Sequence, residues 1–235
     1  MKFGVIIFPG SNCDHDMIYS LKELLNQEVV ELWHKDADIK ECDVVVIPGG
    51  FSYGDYLRSG AIATFSPIME KVIEFANSGG FVFGVCNGFQ ILCETGLLPG
   101  TLMHNDNQKF ICKNQYIIAE TTDSAMTLLS SKDKPLKIPI AHGEGKYYAS
   151  EHIIKDMLEN NQIIWRYCDE NGRLTENSNP NGSLMNIAGI SNKNRNVYGM
   201  MPHPERASDP ELKNTDGIQI FESIIKYLKI KYNKS

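Results

Sequence analysis

Short apolar runs separated by helical patterns dominate the first half of the chain. Apolar runs rich in Val, Ile and Phe, which do not alternate regularly with polar residues, lie at residues 3–8, 29–33, 43–47 and 81–85. Such runs are typical of strands that are covered on both faces of a parallel sheet. Residues 16–25 carry apolar side chains at helical spacing, and residues 62–76 predict a second helix that ends before two glycines.

The second half of the chain mixes strand and turn patterns. Predicted strands lie at residues 110–120, 138–141, 163–167, 184–190 and 197–200. The segment 169–181 is rich in Asn and Gly and predicts a turn, whereas residues 217–229 predict a closing amphipathic helix. With no internal repeat or linker, we expect one α/β domain over residues 1–235. Its central sheet should be mostly parallel, with flanking helices and inserted antiparallel or mixed strands.

Composition narrows the class of protein. The 235 residues include 23 Lys+Arg and 29 Asp+Glu, which gives a net charge of −6. A general nucleic-acid binder normally presents a basic face, so we expect no nucleic-acid partner. No apolar run approaches the roughly 20 residues of a membrane-spanning helix, so we expect no membrane partner either. The six cysteines form no C-x-x-C pair or dense framework, which favours the cytoplasm.

The sharpest chemical feature is Cys86, which follows the predicted strand 81–85 and precedes a short helical pattern. Gly84 and Gly88 flank it two residues away on either side. This is the cysteine form of the strand–nucleophile–helix turn, where a strained backbone projects the side chain and only small neighbours fit. The helix N-terminus would favour the thiolate, and the Asn87 amide would bind an oxyanion. An inert buried cysteine is the alternative on this segment alone.

A cysteine nucleophile needs a base, and His203 stands out among the six histidines. It lies between Pro202 and Pro204, after the predicted strand 197–200. Residues i and i+2 of an extended chain point the same way, so we expect Glu205 to lie beside His203 and to set its tautomer. A proline-stiffened surface turn is the alternative.

Two glycine-rich segments offer further candidates. Gly49 and Gly50 follow the predicted strand 43–47, and Gly50 is a candidate second oxyanion donor, with an ordinary tight turn as the alternative. His142 and Glu144 lie in the second segment but lack the further ligands that a metal site needs, so we expect no metal. Neither a G-x-x-x-x-G-K-[ST] loop nor a G-x-G-x-x-G motif after a strand is present. We therefore expect no cofactor in this chain.

Taken in chain order, Cys86, His203 and Glu205 resemble the triad of the class I glutamine amidotransferases. The segments that carry the resemblance are 8–14, 48–58, 84–90, 139–145, 179–183 and 199–207, and together they span nearly the whole chain. The segments 48–58 and 139–145 are similar to those of the glutaminase subunits that serve a synthetase of purine biosynthesis. We therefore expect a flavodoxin-like α/β fold of the class I amidotransferase type.

The resemblance also implies roles for individual residues. The Cys86 thiolate would attack the side-chain amide of L-glutamine and form a glutamyl thioester. His203, held by its carboxylate partner, would move the protons. The Gly50 and Asn87 amides would bind the oxyanion, and Gln90 would help to hold the substrate.

The same resemblance implies partners. Ammonia would pass to a separate ATP-dependent synthetase subunit, which uses ATP and Mg to convert formylglycinamide ribonucleotide to its amidine, and a small third subunit would bridge the two. Two alternatives stay open at this point. One is another Cys-His-Glu hydrolase on the same fold, such as a peptidase, and the other is a non-catalytic regulatory module.

Overall fold

A nine-stranded sheet runs through residues 1–232, the part of the chain that the structure describes. The structure is a computed structural model; a π-helical turn spans Ser20–Leu24, and short 3-10 turns connect several of the other elements. In chain order the strands and helices are β1 (Lys2–Ile7), α1 (Asp14–Tyr19), β2 (Glu28–Trp33), β3 (Val44–Ile47), α2 (Pro67–Asn77), β4 (Phe81–Val85), α3 (Asn87–Glu94), β5 (Thr101–Met103), β6 (Ile111–Ala119), β7 (Leu136–His142), β8 (Lys146–Tyr148), α4 (Glu151–Glu159), β9 (Ile163–Cys168), β10 (Ile187–Ser191), β11 (Val197–Met200) and α5 (Ile218–Tyr232).

The sheet has the order β2-β1-β3-β4-β11-β10-β9-β6-β7. The five strands from β2 to β11 pair in parallel, and β10, β9, β6 and β7 extend the sheet with antiparallel pairs. Strands β5 and β8 form a separate antiparallel pair. Every residue of β3 and β4 is buried, as the unbroken apolar runs in the sequence predict. The expected α/β fold is confirmed.

Several predicted elements have different bounds in the structure. The predicted helix 62–76 is wrong in its first residues, because Ser66 is extended (φ −74°, ψ 144°) and α2 begins at Pro67. A proline disfavours helical backbone at the residue before it. The predicted strand 184–190 begins only at Ile187, because residues 184–186 form a 3-10 turn in which Met185 has φ 53°.

The sequence patterns missed helix α4 and the β5–β8 pair. In α4 only Met157 is buried, and Ser150 caps the N-terminus by accepting a hydrogen bond from the Ile153 amide. The signal was nonetheless present in the sequence, because Ile153, Ile154, Met157 and Leu158 lie at helical spacing after the Ser150 N-cap. The single domain over residues 1–235 stays a prediction, and residues 233–235 lie outside the described part. No helix within residues 1–232 has the length and apolar character needed to cross a membrane.

The parallel register brings three segments to one edge of the sheet. Gly84 in β4 pairs with Ile47 in β3 on one side and with Gly199 in β11 on the other. The chain therefore leaves β4 at Cys86 between the segment that follows β3 and the segment that follows β11. Carboxyl ends of adjacent parallel strands are a common place for binding sites in α/β folds.

Candidate active site

Cys86 occupies a strained backbone position between β4 and α3. Its φ of 51° and ψ of −105° lie in a region that side chains other than glycine rarely adopt. A β-carbon at Gly88 would lie 1.9 Å from the Ile47 carbonyl oxygen, and one at Gly84 would lie 2.7 Å from the Gly88 carbonyl. The tight turn therefore requires both flanking glycines, as the sequence pattern around Cys86 predicted.

His203 and Glu205 form a buried pair. His203 Nδ1 lies 2.6 Å from Glu205 Oε1, and the two side chains are 2% and 0% exposed. The contact is as expected, but the extended backbone invoked for it is wrong, because Glu205 lies in the short 3-10 helix Pro204–Ala207. The backbone amide of His203 donates to the Pro139 carbonyl at 2.8 Å, which holds the start of this turn against β7.

The electrostatic environment favours a protonated imidazole at His203. Burial lowers the pKa of His203, but the charges of Glu205 and Cys86 outweigh it and raise the pKa well above its usual range. His203 Nε2 is buried and has no hydrogen-bond partner within residues 1–232. A protonated imidazole beside the sulfur is the arrangement that an activated cysteine nucleophile requires. His142 differs, since burial lowers its pKa to about 4, with a further contribution from His203, and keeps it neutral.

Sequence reasoning assigned no role to Cys13, which lies against the same pair. Its sulfur and the ligand atoms of His203 and Glu205 all lie within 4.8 Å of one another. The Arg206 guanidinium donates to the Cys13 sulfur at 3.0 Å. Burial raises the pKa of Cys13, although His203 and Arg206 act in the opposite direction. The positive charge of Arg206 opposes a metal ion at this trio, and the absence of a metal in the native protein stays a prediction.

A cavity of about 220 Å³ opens onto Cys86. Its lining consists of Gly50, Phe51, Asp55, Ser59, Cys86, Gln90, His104, Phe110, Ala141, His142, Gly143 and Glu144. Gly50 has φ +134°, and a β-carbon there would lie 2.7 Å from the Asn12 amide nitrogen. The Asn87 amide lies in the first turn of α3, directly after the nucleophile. Gly50 therefore lines the same cavity as Cys86, and Asn87 follows the nucleophile directly, while the oxyanion-binding role of both stays a prediction.

The Asn87 side chain has a structural role that the sequence did not indicate. It is fully buried, and its Oδ1 accepts hydrogen bonds from the Ser52 amide and hydroxyl. Its Nδ2 donates to Asp55 Oδ1 at 3.3 Å and to Gln90 Oε1 at 3.0 Å. Gln90 in turn donates to the Glu144 carbonyl at 2.7 Å. Asn87 thus ties the segment after β3 to α3, and Gln90 forms part of the cavity wall.

Comparison with known proteins places the chain in a family. The model of the CobB/CobQ-like glutamine amidotransferase domain matches residues 1–228. The chain belongs to this family. Two relatives are named phosphoribosylformylglycinamidine synthase subunit PurQ. The Koribacter versatilis protein is 54% identical over 225 residues, covering 96% of this chain and 97% of the relative. The Salinibacter ruber protein is 49% identical over 229 residues, covering 97% of each.

Solved structures agree with this assignment. A chain of the PurLQS structure from Thermotoga maritima is 38% identical and superposes with a TM-score of 0.84, covering 97% of this amidotransferase and 98% of that chain. Another glutamine amidotransferase from Thermotoga maritima is 13% identical, with a TM-score of 0.55 over 98% of this chain and 92% of that one, and shows the fold alone. The predicted enzyme class, a glutamine amidotransferase, is confirmed.

Proposed function

We propose that this chain is the glutaminase subunit of phosphoribosylformylglycinamidine synthase, in which it hydrolyses L-glutamine to glutamate and ammonia. One observation carries the proposal: the Cys86 thiol projects from a strained turn into a cavity beside the buried His203–Glu205 pair. The similarity of the whole chain to subunits named for that synthase supports the choice of complex.

The first half of the reaction releases ammonia. The Cys86 thiolate attacks the side-chain amide carbon of glutamine, and the carbonyl π electrons move to oxygen. The Gly50 and Asn87 amides stabilise the resulting oxyanion, where the loss of one such donor typically costs about 3 kcal/mol. The His203 imidazolium protonates the amide nitrogen, the carbon–nitrogen bond breaks, and ammonia leaves behind a glutamyl thioester on Cys86.

The second half restores the thiolate. His203, now neutral, takes a proton from water as the oxygen attacks the thioester carbonyl, and collapse of the second tetrahedral intermediate releases glutamate and the Cys86 thiolate. Glu205 holds Nδ1 throughout, which leaves Nε2 facing the reacting atoms and stabilises the imidazolium each time it forms.

Ammonia is useful to the cell only where an acceptor consumes it. We infer that it passes to an ATP-dependent synthetase subunit, which uses ATP and Mg to convert formylglycinamide ribonucleotide to its amidine, and that a small bridging subunit joins the two. The chain itself then needs no cofactor. The cytoplasm is the proposed location, and the six free cysteines support it.

The test reconstitutes the chain with its synthetase and bridging subunits and measures amidine formation with either glutamine or ammonium as the nitrogen source. We expect the unsubstituted complex to use both, and the complex with Cys86→Ser to use ammonium only. Cys112→Ser is the matched control, because Cys112 is exposed on β6, and it should keep both activities.

Three results would contradict the proposal. Near-normal use of glutamine by the Cys86→Ser complex would show that Cys86 is not the nucleophile. Cleavage of γ-glutamyl peptides without release of ammonia from free glutamine would favour the peptidase alternative. An unsubstituted complex that uses only ammonium, with no labelling of Cys86 by a glutamine-analogue affinity reagent, would favour the non-catalytic module.

A further inference from the structure

Two carboxylates, Asp55 and Glu144, line the cavity that opens onto Cys86. They are neighbours, because Ser59 contacts both: its hydroxyl donates to Asp55 Oδ2 at 3.3 Å and its amide donates to Glu144 Oε2 at 3.4 Å. Asp55 Oδ1 also accepts from the Gly60 amide at 3.4 Å. These contacts lie at or beyond the long end of the hydrogen-bond range, so the oxygens keep acceptor capacity for a further donor.

The acidic pair has no Lys or Arg partner in the described part of the chain. Within residues 1–232, neither carboxylate has a Lys or Arg nitrogen within 4.0 Å, and only the exposed His104 approaches Glu144, at 3.4 Å. Burial raises the pKa of Asp55, and the charge of Glu144 raises it further against the hydrogen bonds from Gly60, Ser59 and Asn87. Two adjacent carboxylates in a partly buried cavity repel each other unless a cation lies between them.

The position of Asp55 is fixed by its backbone turn and by Asn87. Its φ of 51° is a left-handed value, which Asp and Asn adopt more readily than most other side chains. The Asn87 Nδ2 group donates to Asp55 Oδ1 at 3.3 Å, so that helix α3 and the acidic pair are connected through a hydrogen bond.

The reaction centre borders the same cavity as the acidic pair. Cys86 lines the cavity. The charge of Cys86 raises the pKa of His203, whose buried Nε2 has no hydrogen-bond partner among the described residues. Phe51 and Phe110 supply apolar wall to the cavity, with ring centres 6.3 Å apart. A small cavity with a nucleophile, apolar walls and two carboxylates that lack a cationic partner suits an amide that carries a cationic group at its other end.

We propose that Asp55 and Glu144 bind the α-ammonium group of the substrate and thereby select α-amino acids over other primary amides. This inference rests on the proposed glutaminase function and deepens it. The ammonium group donates to both carboxylates and neutralises their repulsion. It positions the substrate so that its side-chain amide reaches Cys86, and both carboxylates act by positioning rather than by proton transfer.

The experiment compares Asp55→Asn and Glu144→Gln with the unsubstituted chain in the reconstituted complex. Glutamine is compared with glutaramate, which is glutamine without its α-amino group, and the product glutamate is compared with glutarate as a competitive inhibitor. Asp106→Asn is the matched control, because Asp106 lines a neighbouring pocket that shares Glu144 with this cavity, but it is paired with Lys146.

We expect each substitution to lower kcat/KM for glutamine by about 10- to 100-fold, through KM, since a hydrogen bond to a charged group is lost. Inhibition by glutamate should weaken in parallel, whereas glutaramate hydrolysis and glutarate inhibition should not. Asp106→Asn should leave all four values unchanged.

Equal losses for glutamine and glutaramate, or equal weakening of glutamate and glutarate inhibition, would overturn the inference while leaving the glutaminase function intact. Unchanged KM for glutamine in both variants would do the same. If the unsubstituted complex releases no ammonia from glutamine, the proposed function itself fails, and the inference fails with it.

Discussion

The imidazole of His203 and the carboxylate of Glu205 lie 2.6 Å apart at Nδ1 and Oε1, in a position almost closed to solvent. Without a partner, a histidine buried this deeply would lose its proton readily, because burial disfavours the charged form. The carboxylate reverses that tendency and holds the pKa of His203 well above its usual range. The pair therefore keeps a proton available for the leaving ammonia.

We expect Glu205→Gln to move the alkaline limb of the pH–rate profile to lower pH. The substitution removes the largest effect that raises the pKa of His203, so burial dominates and the imidazolium is lost earlier as pH rises. The value of kcat should also fall, by about 10³- to 10⁴-fold on the precedent of triad carboxylates. Glutamine hydrolysis measured from pH 6 to 10 tests this, and an alkaline limb that stays in place would contradict it.

The same pair predicts a pH dependence of stability. Since the folded-state pKa of His203 is raised, its contribution is complete below the unfolded-state pKa of about 6.5 and is lost as pH rises through the folded-state pKa. Between these two pKa values, the free energy of unfolding should fall as pH rises. Urea unfolding should show a less steep fall for Glu205→Gln than for the unsubstituted chain.

Strain at Cys86 predicts an unusual order of stability between two inactive variants. Because φ is 51° at this position, Cys86→Gly should be more stable than Cys86→Ala by about 1 kcal/mol. Chemical denaturation measures the difference. The same pair of substitutions at Cys93, inside α3, should give the reverse order by about 1 kcal/mol, because glycine disfavours a helix interior. If the Ala variant were the more stable one at both positions, the result would argue against a strained turn at Cys86.

The turn also tolerates no side chain at Gly88. A β-carbon would lie 1.9 Å from the Ile47 carbonyl oxygen, and backbone in the middle of a sheet cannot move away cheaply. We expect Gly88→Ala to lower the free energy of unfolding by about 2–4 kcal/mol. Gly143→Ala is the control for stability, because its β-carbon would meet only Phe110, at 3.8 Å. Similar losses in the two variants would show that the close approach has no energetic consequence.

Asn87→Asp tests the side-chain network beneath the cavity. The substitution keeps the acceptor for Ser52 but replaces the donor to Asp55 and Gln90 with a carboxylate oxygen. We expect a loss of about 1–3 kcal/mol in stability, as for a buried group left without its partner, together with a lower kcat. Thermal unfolding and glutamine hydrolysis measure the two effects, and a variant with unchanged stability and activity would exclude this role for Asn87.

Local sequence determined much of this protein. Unbroken apolar runs predicted the buried strands β1, β3 and β4, because such a strand needs apolar side chains on both faces. Small residues two positions either side of Cys86 predicted the elbow, since only backbone without side chains fits there. Helix α4 was missed although its apolar residues lie at helical spacing, and the break at Ser66 was missed although Pro67 was the signal for it.

The contacts that surround the nucleophile were decided only by tertiary structure. Arg206 reaches Cys13 across 193 positions in the chain, and Glu144 meets the amide of Ser59 across 85. A local pattern reports which backbone conformations and which buried faces a segment prefers. It does not report which distant loops meet at one edge of the sheet, because that depends on strand order and register.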